Sequence, residues 1–439
     1  MESAAETKGP RRAAAATLAE VARGVRLDRA LERVVRRRFG RRAASFAEEL
    51  VKCVIRHRAL IDYQLEQVAA RPAKKPPPPV RDIMRMAVAE LFFLRTPTYA
   101  AVDEAVAAVR ASSFSGLAPF VNGVLRRLAS LDEVAEAPGD DADALAINYS
   151  HPAWLVRRWL ERLGPEETRA LLAADNDVAP LTIYPNPLDA DVDAPAAALR
   201  AEGCRTAAGP YGSLTLDMAG KRLRELRPFR EGAFLVLDPA STLGPRWLSP
   251  PAGAKVLDLC AGVGGKAVQL AGAVGPEGRI IAVDRDARKL GECAELTGRL
   301  GLANVETRVA DVLDDGLPAA EYIFLDAPCT NLGVVRRKID VKWRVREGGV
   351  AAAAVTEEAL LNRAVDLLAP GGVLVYNVCT AEPEEADDVV GRVVEAKGVE
   401  VVAYAGGVFD DARDGPYLRT WPHRHFCNGG FAAMLRRPA

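Results

Sequence analysis

From about residue 250 onward the chain repeats one hydrophobic pattern. A short apolar run gives way to a turn, then to apolar positions at helical spacing. The runs are KVLDLC (Lys255–Cys260), IIAVD (Ile280–Asp284), VETRVA (Val305–Ala310), YIFLDA (Tyr322–Ala327) and GVLVYNV (Gly372–Val378). Runs of this kind mark strands covered on both faces. Their alternation with helical stretches predicts a mainly parallel sheet with helices on each side. Residues 11–130 differ: alanine, leucine and valine recur with charges at helical spacing, which predicts helices throughout. Inside that region PAKKPPPPV (Pro72–Val80) predicts an extended interhelical loop, because successive prolines remove backbone donors. The acidic LDEVAEAPGDDADAL (Leu131–Leu145), with its Pro-Gly break, reads as a linker. Residues 151–230 mix a helix, AWLVRRWLERLG, with strand candidates PLTIYPN and SLTLD. The expectation is a multidomain chain. It has a disordered N-terminus over 1–10, an all-α domain over 11–130 and an acidic linker over 131–150. A small α+β subdomain over 151–240 and an α/β domain over 241–439 follow.

Composition narrows this picture. A length of 439 residues suits two or three cores, and 49% hydrophobic with 27% charged residues suits a globular chain. No apolar run approaches the roughly 18 residues of a membrane span, and the N-terminus lacks an apolar signal core. Seven scattered cysteines with no C-x-x-C pair fit reduced thiols, so a cytoplasmic location without membrane association is expected. Of four histidines only His423 and His425 lie close together, and no metal site is expected. The net charge of −1 conceals an asymmetry. Residues 1–130 carry 24 Lys and Arg against 13 Asp and Glu, with runs such as RVVRRRFGRR (Arg33–Arg42), and the remainder is acidic. Arginine favours bidentate phosphate contacts, so the basic end suits a nucleic acid. A solvated helical surface is the plainer reading of the same residues.

In doubly wound sheets ligands bind beyond the carboxyl ends of the strands. The first run leads into AGVGGKAVQLA, a glycine turn opening a helix, where Gly262, Gly264 and Gly265 let a ligand approach the backbone. It is neither G-x-G-x-x-G nor a P-loop, since the spacing to Lys266 is wrong. The next two strands end at Asp284, placed for ribose hydroxyls, and Asp311, within reach of an adenine edge. A glycine turn followed by acids at successive strand ends suits S-adenosyl-L-methionine better than a dinucleotide. Two later strand ends carry Cys329 and Cys379, which read as chemistry rather than packing. Cys53, Cys204, Cys293 and Cys427 read as small buried hydrophobes.

DLCAGVGGK, DAPCTNLGVVRRKIDVKW and YNVCTAEPEE resemble motifs of the RNA (cytosine-5) methyltransferases. LRPFREGAFLVLDPAS and SHPAWLVRRWLERLG resemble that family's lead-ins to its catalytic domain and preceding subdomain. AVDEAVAAVR and PFVNGVLRRLA are similar to a NusB-type RNA-binding domain fused in front. The resemblance implies an all-α NusB-like domain, a small α+β RNA-binding subdomain and a Rossmann-like methyltransferase domain. It implies S-adenosyl-L-methionine as cofactor and 16S (small-subunit) rRNA as partner. No obligatory protein partner is evident, and a monomer is expected. By the same resemblance, Cys260, Ala261, Gly262, Val263, Gly264, Gly265, Lys266, Asp284, Asp311 and Asp326 line the cofactor and base pocket. Cys379 is then the nucleophile, Cys329 helps the product leave, and Asp326 holds N3 and N4 of the base. Departures from the family pattern fall at Gly262 and Val263, Val378 and Thr380, Ile339, Tyr184 and Pro185, and Gly429.

The chemistry explains the two thiols. C5 of cytosine takes a methyl group only after a thiolate adds at C6 and turns the ring enamine-like. A helix N-terminus near Glu382 and the cationic sulfonium are candidate thiolate stabilisers. The target base must be unpaired or flipped out. Arg336, Arg337 and Lys338 then hold flanking phosphates, or form a solvated loop. The alternatives are the same reaction on another RNA such as tRNA, a non-catalytic RNA-binding assembly factor, and a small-molecule methyltransferase.

Overall fold

All five apolar runs pair as neighbouring strands in a computed structural model, which describes residues 9–68, 75–94, 96–189, 191, 193–314 and 316–439. The expected disorder of the N-terminus falls on residues 1–8, outside the described residues, while Gly9 and Pro10 open the first helix. The chain divides into two units. One comprises Met1–Asp177 with Lys338–Arg344; the other comprises Val178–Arg337 with Val345–Ala439.

The first unit is helical, as its spacing predicts. Helix Arg41–Arg56 shows why: Ala44, Ala47, Leu50, Val51 and Val54 recur at three- and four-residue intervals and form one buried stripe. Helices Pro10–Ala22, Pro78–Phe92, Thr98–Arg110 and Ala118–Leu128 contribute similar stripes to one core. Two expectations need correction. Of the loop expected over Pro72–Val80, residues 72–74 lie outside the described residues, and helix Pro78–Phe92 takes the last three. Prolines are tolerated in a first turn, whose N–H groups have no helical partner anyway. The acidic linker also holds a helix, Ala142–Asn148, capped by Asp141, whose carboxylate accepts from the Ala144 N–H at 2.8 Å. Helix Ala153–Asn176 is interrupted at Gly164 (φ 78°), just before Pro165.

Residues Lys338–Arg344 complete this unit. Ile339 is part of its core, and Trp343 donates from Nε1 to the Ile55 carbonyl at 2.8 Å. Asp340 accepts from the Leu27 N–H at 3.3 Å. Lys342 is fully buried, and its Nζ donates to Asn176 Oδ1 at 2.9 Å and the Arg56 carbonyl at 3.2 Å. Burial pushes its ammonium down to about 7, with Arg56 and Arg58 opposing the charge and Asp175 favouring it.

In the second unit, β1 (Thr182–Pro185), β2 (Arg205–Ala208), β3 (Leu214–Asp217) and β4 (Phe234–Val236) form an antiparallel sheet in the order β2-β3-β1-β4. The larger sheet contains β5 (Lys255–Leu259), β6 (Arg279–Asp284), β7 (Val305–Val309), β8 (Ala320–Asp326) and β9 (Leu368–Val378), all parallel, in the order β7-β6-β5-β8-β9. The order reverses at β5, so a crevice is expected beyond the carboxyl ends of β5 and β8. The sheet is less purely parallel than expected. The strands β10 (Glu400–Val402), β11 (Arg413–Asp414), β12 (Tyr417–Thr420) and β13 (Gly430–Arg436) extend it antiparallel, with β13 beside β9.

Candidate active site

The turn after β5 needs unusual backbone. Cys260 (φ 61°), Gly262 (φ 59°) and Gly264 (φ 85°) are all left-handed, and Gly264 caps helix Gly265–Val274. Glycine at 264 is required twice over, since a Cβ there would stand 2.3 Å from Cys293 Sγ. Asp284, at the end of β6, fixes the turn by accepting from the Gly262 N–H at 3.0 Å, and also accepts from the Asp286 N–H at 2.8 Å. Asp311 follows β7 and accepts from the Leu313 N–H at 3.0 Å. Ala261 is buried, whereas Val263 is about half exposed. Burial pushes the Cys260 thiol up to about 12, which suits packing beneath the turn.

Asp258, inside β5, is fully buried, and neither carboxylate oxygen has a hydrogen-bond partner among the described residues. Burial holds its carboxyl well above the usual range, and the charges of Asp326 and Asp284 push it the same way. An acid left without a partner beside an open glycine turn fits a cationic ligand. At the neighbouring strand end Lys266 Nζ meets Asp326 Oδ2 at 2.6 Å, and Asn377 Nδ2 donates to Asp326 Oδ1 at 2.8 Å. Asp326 is therefore fixed from two sides, with both of its oxygens engaged.

The parallel register sets Asp326 of β8 opposite Asn377 of β9, so both strands end side by side. Their following loops bring Cys329 Sγ and Cys379 Sγ to 3.1 Å. Three contacts weld these loops together. The Gly333 N–H donates to the Cys379 carbonyl at 3.1 Å, and the Gly429 N–H to the Gly333 carbonyl at 2.7 Å. Asn331 (φ 65°) donates from Nδ2 to the Cys329 carbonyl at 2.7 Å and offers Oδ1 to Cys379 Sγ at 3.3 Å. Below, Glu385 accepts from the Thr330 N–H and from Thr330 Oγ1, each at 2.6 Å. The contact with Cys379, then burial, then Glu385 and Glu357 push the Cys329 thiol well above its ordinary value.

Several predicted residues stand elsewhere than expected. The helix proposed to begin near Glu382 starts at Asp387, after a short 3₁₀ turn at Pro383–Glu385. Arg337 is held inside the unit, by Asp238 at 2.8 Å, the Pro180 carbonyl at 3.0 Å and Thr182 Oγ1 at 3.2 Å. Lys338 belongs to the first unit. Within the basic run, Arg33, Arg36 and Arg37 each pair with a carboxylate. His425 bonds the backbone through both ring nitrogens. Cys53, Cys204, Cys293 and Cys427 are buried, as expected. Asn331, Asn377, Glu357 and Glu385 escaped sequence reasoning. Asn331 lies inside a quoted motif, but its bridging role depends on a left-handed turn that no pattern announces.

Sheet order, glycine turn and acidic strand ends define a Rossmann-type methyltransferase, fused to a helical domain. Family models agree along the chain. The NusB family matches residues 8–130, the RsmF/B-like ferredoxin-like domain residues 151–221, and the 16S rRNA methyltransferase RsmB/F model residues 245–436. The chain belongs to the RsmB/F family of 16S rRNA methyltransferases. Among its relatives, the probable ribosomal RNA small subunit methyltransferase B of Synechocystis is 31% identical over 94% of this chain and 95% of its own. The ribosomal RNA small subunit methyltransferase B of Erwinia tasmaniensis is 29% identical over 90% and 91%. The fold is shared with the crystal structure of PH0851, at TM-score 0.79 and 23% identity over 97% of both chains. It is also shared with NSun6 from Pyrococcus horikoshii, solved with SFG, at TM-score 0.58 and 23% identity over 66% of this chain and 98% of that one. This chain is an enzyme, an S-adenosylmethionine-dependent RNA methyltransferase. Asp258, the turn at Cys260–Lys266 and Asp284 suit that cationic cofactor. No helix among the described residues is long and apolar enough to cross a membrane.

Proposed function

We propose that the chain methylates C5 of a cytosine in small-subunit rRNA through a covalent bond between Cys379 and C6 of the base. The observation that carries this reading is the pair of thiols 3.1 Å apart, set beyond the strand ends that also present Asp326 and the glycine turn. Packing alone does not explain them: Cys53 and Cys293 are also buried, and among the described residues no such sulfur–sulfur contact involves either.

Cys260–Lys266, Asp284, Asp311 and Asp258 hold S-adenosylmethionine, which supplies an electrophilic methyl group on sulfur. Asp326, fixed by Lys266 and Asn377, accepts from the exocyclic amine and orients the ring. The Cys379 thiolate adds to C6, and the displaced electrons spread over N3 and O2 and raise the nucleophilicity of C5. Once C5 carries the methyl group, its proton passes to water. The electron pair of the broken C5–H bond forms the C5–C6 double bond as the C6–S bond breaks and its own pair returns to Cys379. Cys329, 3.1 Å away, donates to the departing sulfur.

The RsmB names of the relatives and the NusB match support small-subunit rRNA over tRNA. The test is an adduct trap with Cys329→Ala protein, S-adenosylmethionine and protein-free small-subunit rRNA, beside Cys379→Ala. A denaturant-resistant protein–RNA band is expected with Cys329→Ala alone. A band with Cys379→Ala alone reverses the roles, and failure of wild type to methylate this RNA moves the substrate elsewhere.

A further inference from the structure

Two sulfurs of one kind, 3.1 Å apart, need something to decide which keeps a proton. The surroundings of the pair are not symmetric. Glu385 is fully buried and tied to the Cys329 loop by its two bonds from Thr330. Glu357, on helix Gly349–Leu367, is also fully buried, and no donor reaches either of its oxygens. A Glu357 oxygen, a Glu385 oxygen and Cys329 Sγ all lie within 4.8 Å of one another. Two buried carboxyls in contact cannot both ionise. Burial raises both carboxyls, but the Thr330 bonds oppose the rise at Glu385, whereas burial and then Glu385 push Glu357 up to about 10. The geometry favours the charge on Glu385 and the proton on Glu357. One negative charge therefore sits under Cys329. The cation of the site, Lys266, lies instead beside Asp326 and interacts with Cys379.

One neighbour opposes this asymmetry: Asn331 Oδ1 accepts from Cys379 Sγ at 3.3 Å. It is a neutral dipole set against a full buried charge, and the remaining groups around the pair are neutral or remote. Tyr376, on β9, donates its hydroxyl to the Glu385 carbonyl at 2.6 Å, and burial keeps that phenol neutral. Thr380 adds a neutral hydroxyl to Glu385. Arg392 acts on Tyr376, and Glu357, being protonated, adds little charge of its own toward Cys379.

We propose that Glu357 and Glu385 share one proton and hold a single buried negative charge beneath the Cys329 loop, which keeps a proton on Cys329 and leaves Cys379 as the thiolate. Both are positioning residues: neither touches the base, and they act through Cys329. The same arrangement returns at the end of each cycle, because Cys329 offers the departing Cys379 sulfur a hydrogen bond and keeps its proton. This rests on Cys379 being the attacking group.

The test reads proton placement directly. Full-length protein is treated with substoichiometric iodoacetamide at several pH values, and alkylation at each cysteine is counted by mass spectrometry. Wild type is expected to react at Cys379 at least tenfold faster than at Cys329 at neutral pH. Glu357→Gln, isosteric with a protonated glutamate, is expected to keep that preference. Glu385→Gln removes the charge, so the preference should fall to near parity and the acid limb of the pH–rate profile should move upward. Loss of the preference in Glu357→Gln, or its retention in Glu385→Gln, overturns the proposal. If Glu385→Gln does not fold, wild type and Glu357→Gln still decide, because equal reactivity of the two thiols in wild type also overturns it. The adduct trap keeps the two readings apart. A Cys379 adduct without alkylation preference sinks this inference alone, whereas a Cys329 adduct sinks both.

Discussion

Gly333 lies where the Cys329 loop meets both the Gly429 backbone and the carbonyl of Cys379, and Gly333→Ala makes the geometry measurable. A Cβ on Gly333 would stand 2.3 Å from the Gly429 carbonyl oxygen, 2.6 Å from its carbon and 2.9 Å from the Cys379 carbonyl oxygen. All three neighbours are backbone, so no side chain can swing aside. Relief to an ordinary contact needs a shift of about 0.7 Å or more between the Cys329 loop and the end of β9. That shift opens the Cys329–Cys379 pair and turns Asn331 away from Cys379. A misplacement of about 1 Å in a reacting pair costs roughly 100-fold, so methyl transfer should fall about 30- to 100-fold. The strain itself is worth about 1–3 kcal/mol, enough to lower Tm by several degrees without unfolding the chain. The assay is labelled methyl incorporation from S-adenosylmethionine into small-subunit rRNA, with a thermal melt on the same samples. Gly391→Ala is the control, since its Cβ meets nothing within 4 Å in helix Asp387–Lys397 and should leave the rate unchanged. A Gly333→Ala enzyme within threefold of wild type would refute the claim that loop spacing sets the rate.

Two further outcomes are expected. Gly264→Ala combines a left-handed φ of 85° with a Cβ 2.3 Å from Cys293 Sγ, so it should displace the cofactor turn. Calorimetric binding of S-adenosylhomocysteine should weaken at least tenfold, and unchanged affinity would detach that turn from cofactor binding. Lys342 carries a pH signature. Its folded pKa, about 7, lies below its ordinary 10.5, so between these values the unfolded chain binds the extra proton and stability rises with pH. The cost of burying the ammonium is full below pH 7 and relieved toward 10.5, with an upper bound on the order of 5 kcal/mol. The urea midpoint of wild type should therefore climb relative to Lys342→Met between pH 7 and 9, and parallel midpoints would show that Lys342 stays charged in the fold.

What the sequence disclosed and what it withheld follow one physical division. β5, β6, β8 and β9 are buried over most of their length and read as apolar runs, whereas the edge strand β7 is largely exposed. A run that ends abruptly in Asp326, Cys379 or the turn at Gly262 points at its own carboxyl end. β13 joins the sheet's other flank by antiparallel pairing with β9, and β10, β11 and β12 build on β13, a placement that no local period records. The same limit hides Glu357. It reads as one charge on an alanine-rich helix, and only the packing of that helix under the Cys329 loop makes it a partner of Glu385. The stretch from Asp326 to Trp343 shows the division within a single motif. Its first half serves the thiol site, and Asn331 and Gly333 fix the spacing there. Its second half leaves that site: Ile339 enters the helical core, while Lys342 and Trp343 bond the carbonyls of Arg56 and Ile55. Reading Arg336, Arg337 and Lys338 as phosphate ligands treated the motif as one surface. The chain instead passes from one unit to the other at Arg337, and Asp238, Pro180 and Thr182 anchor that crossing. A motif can therefore be specific for a family while part of it packs into a different core from the part that carries the thiol.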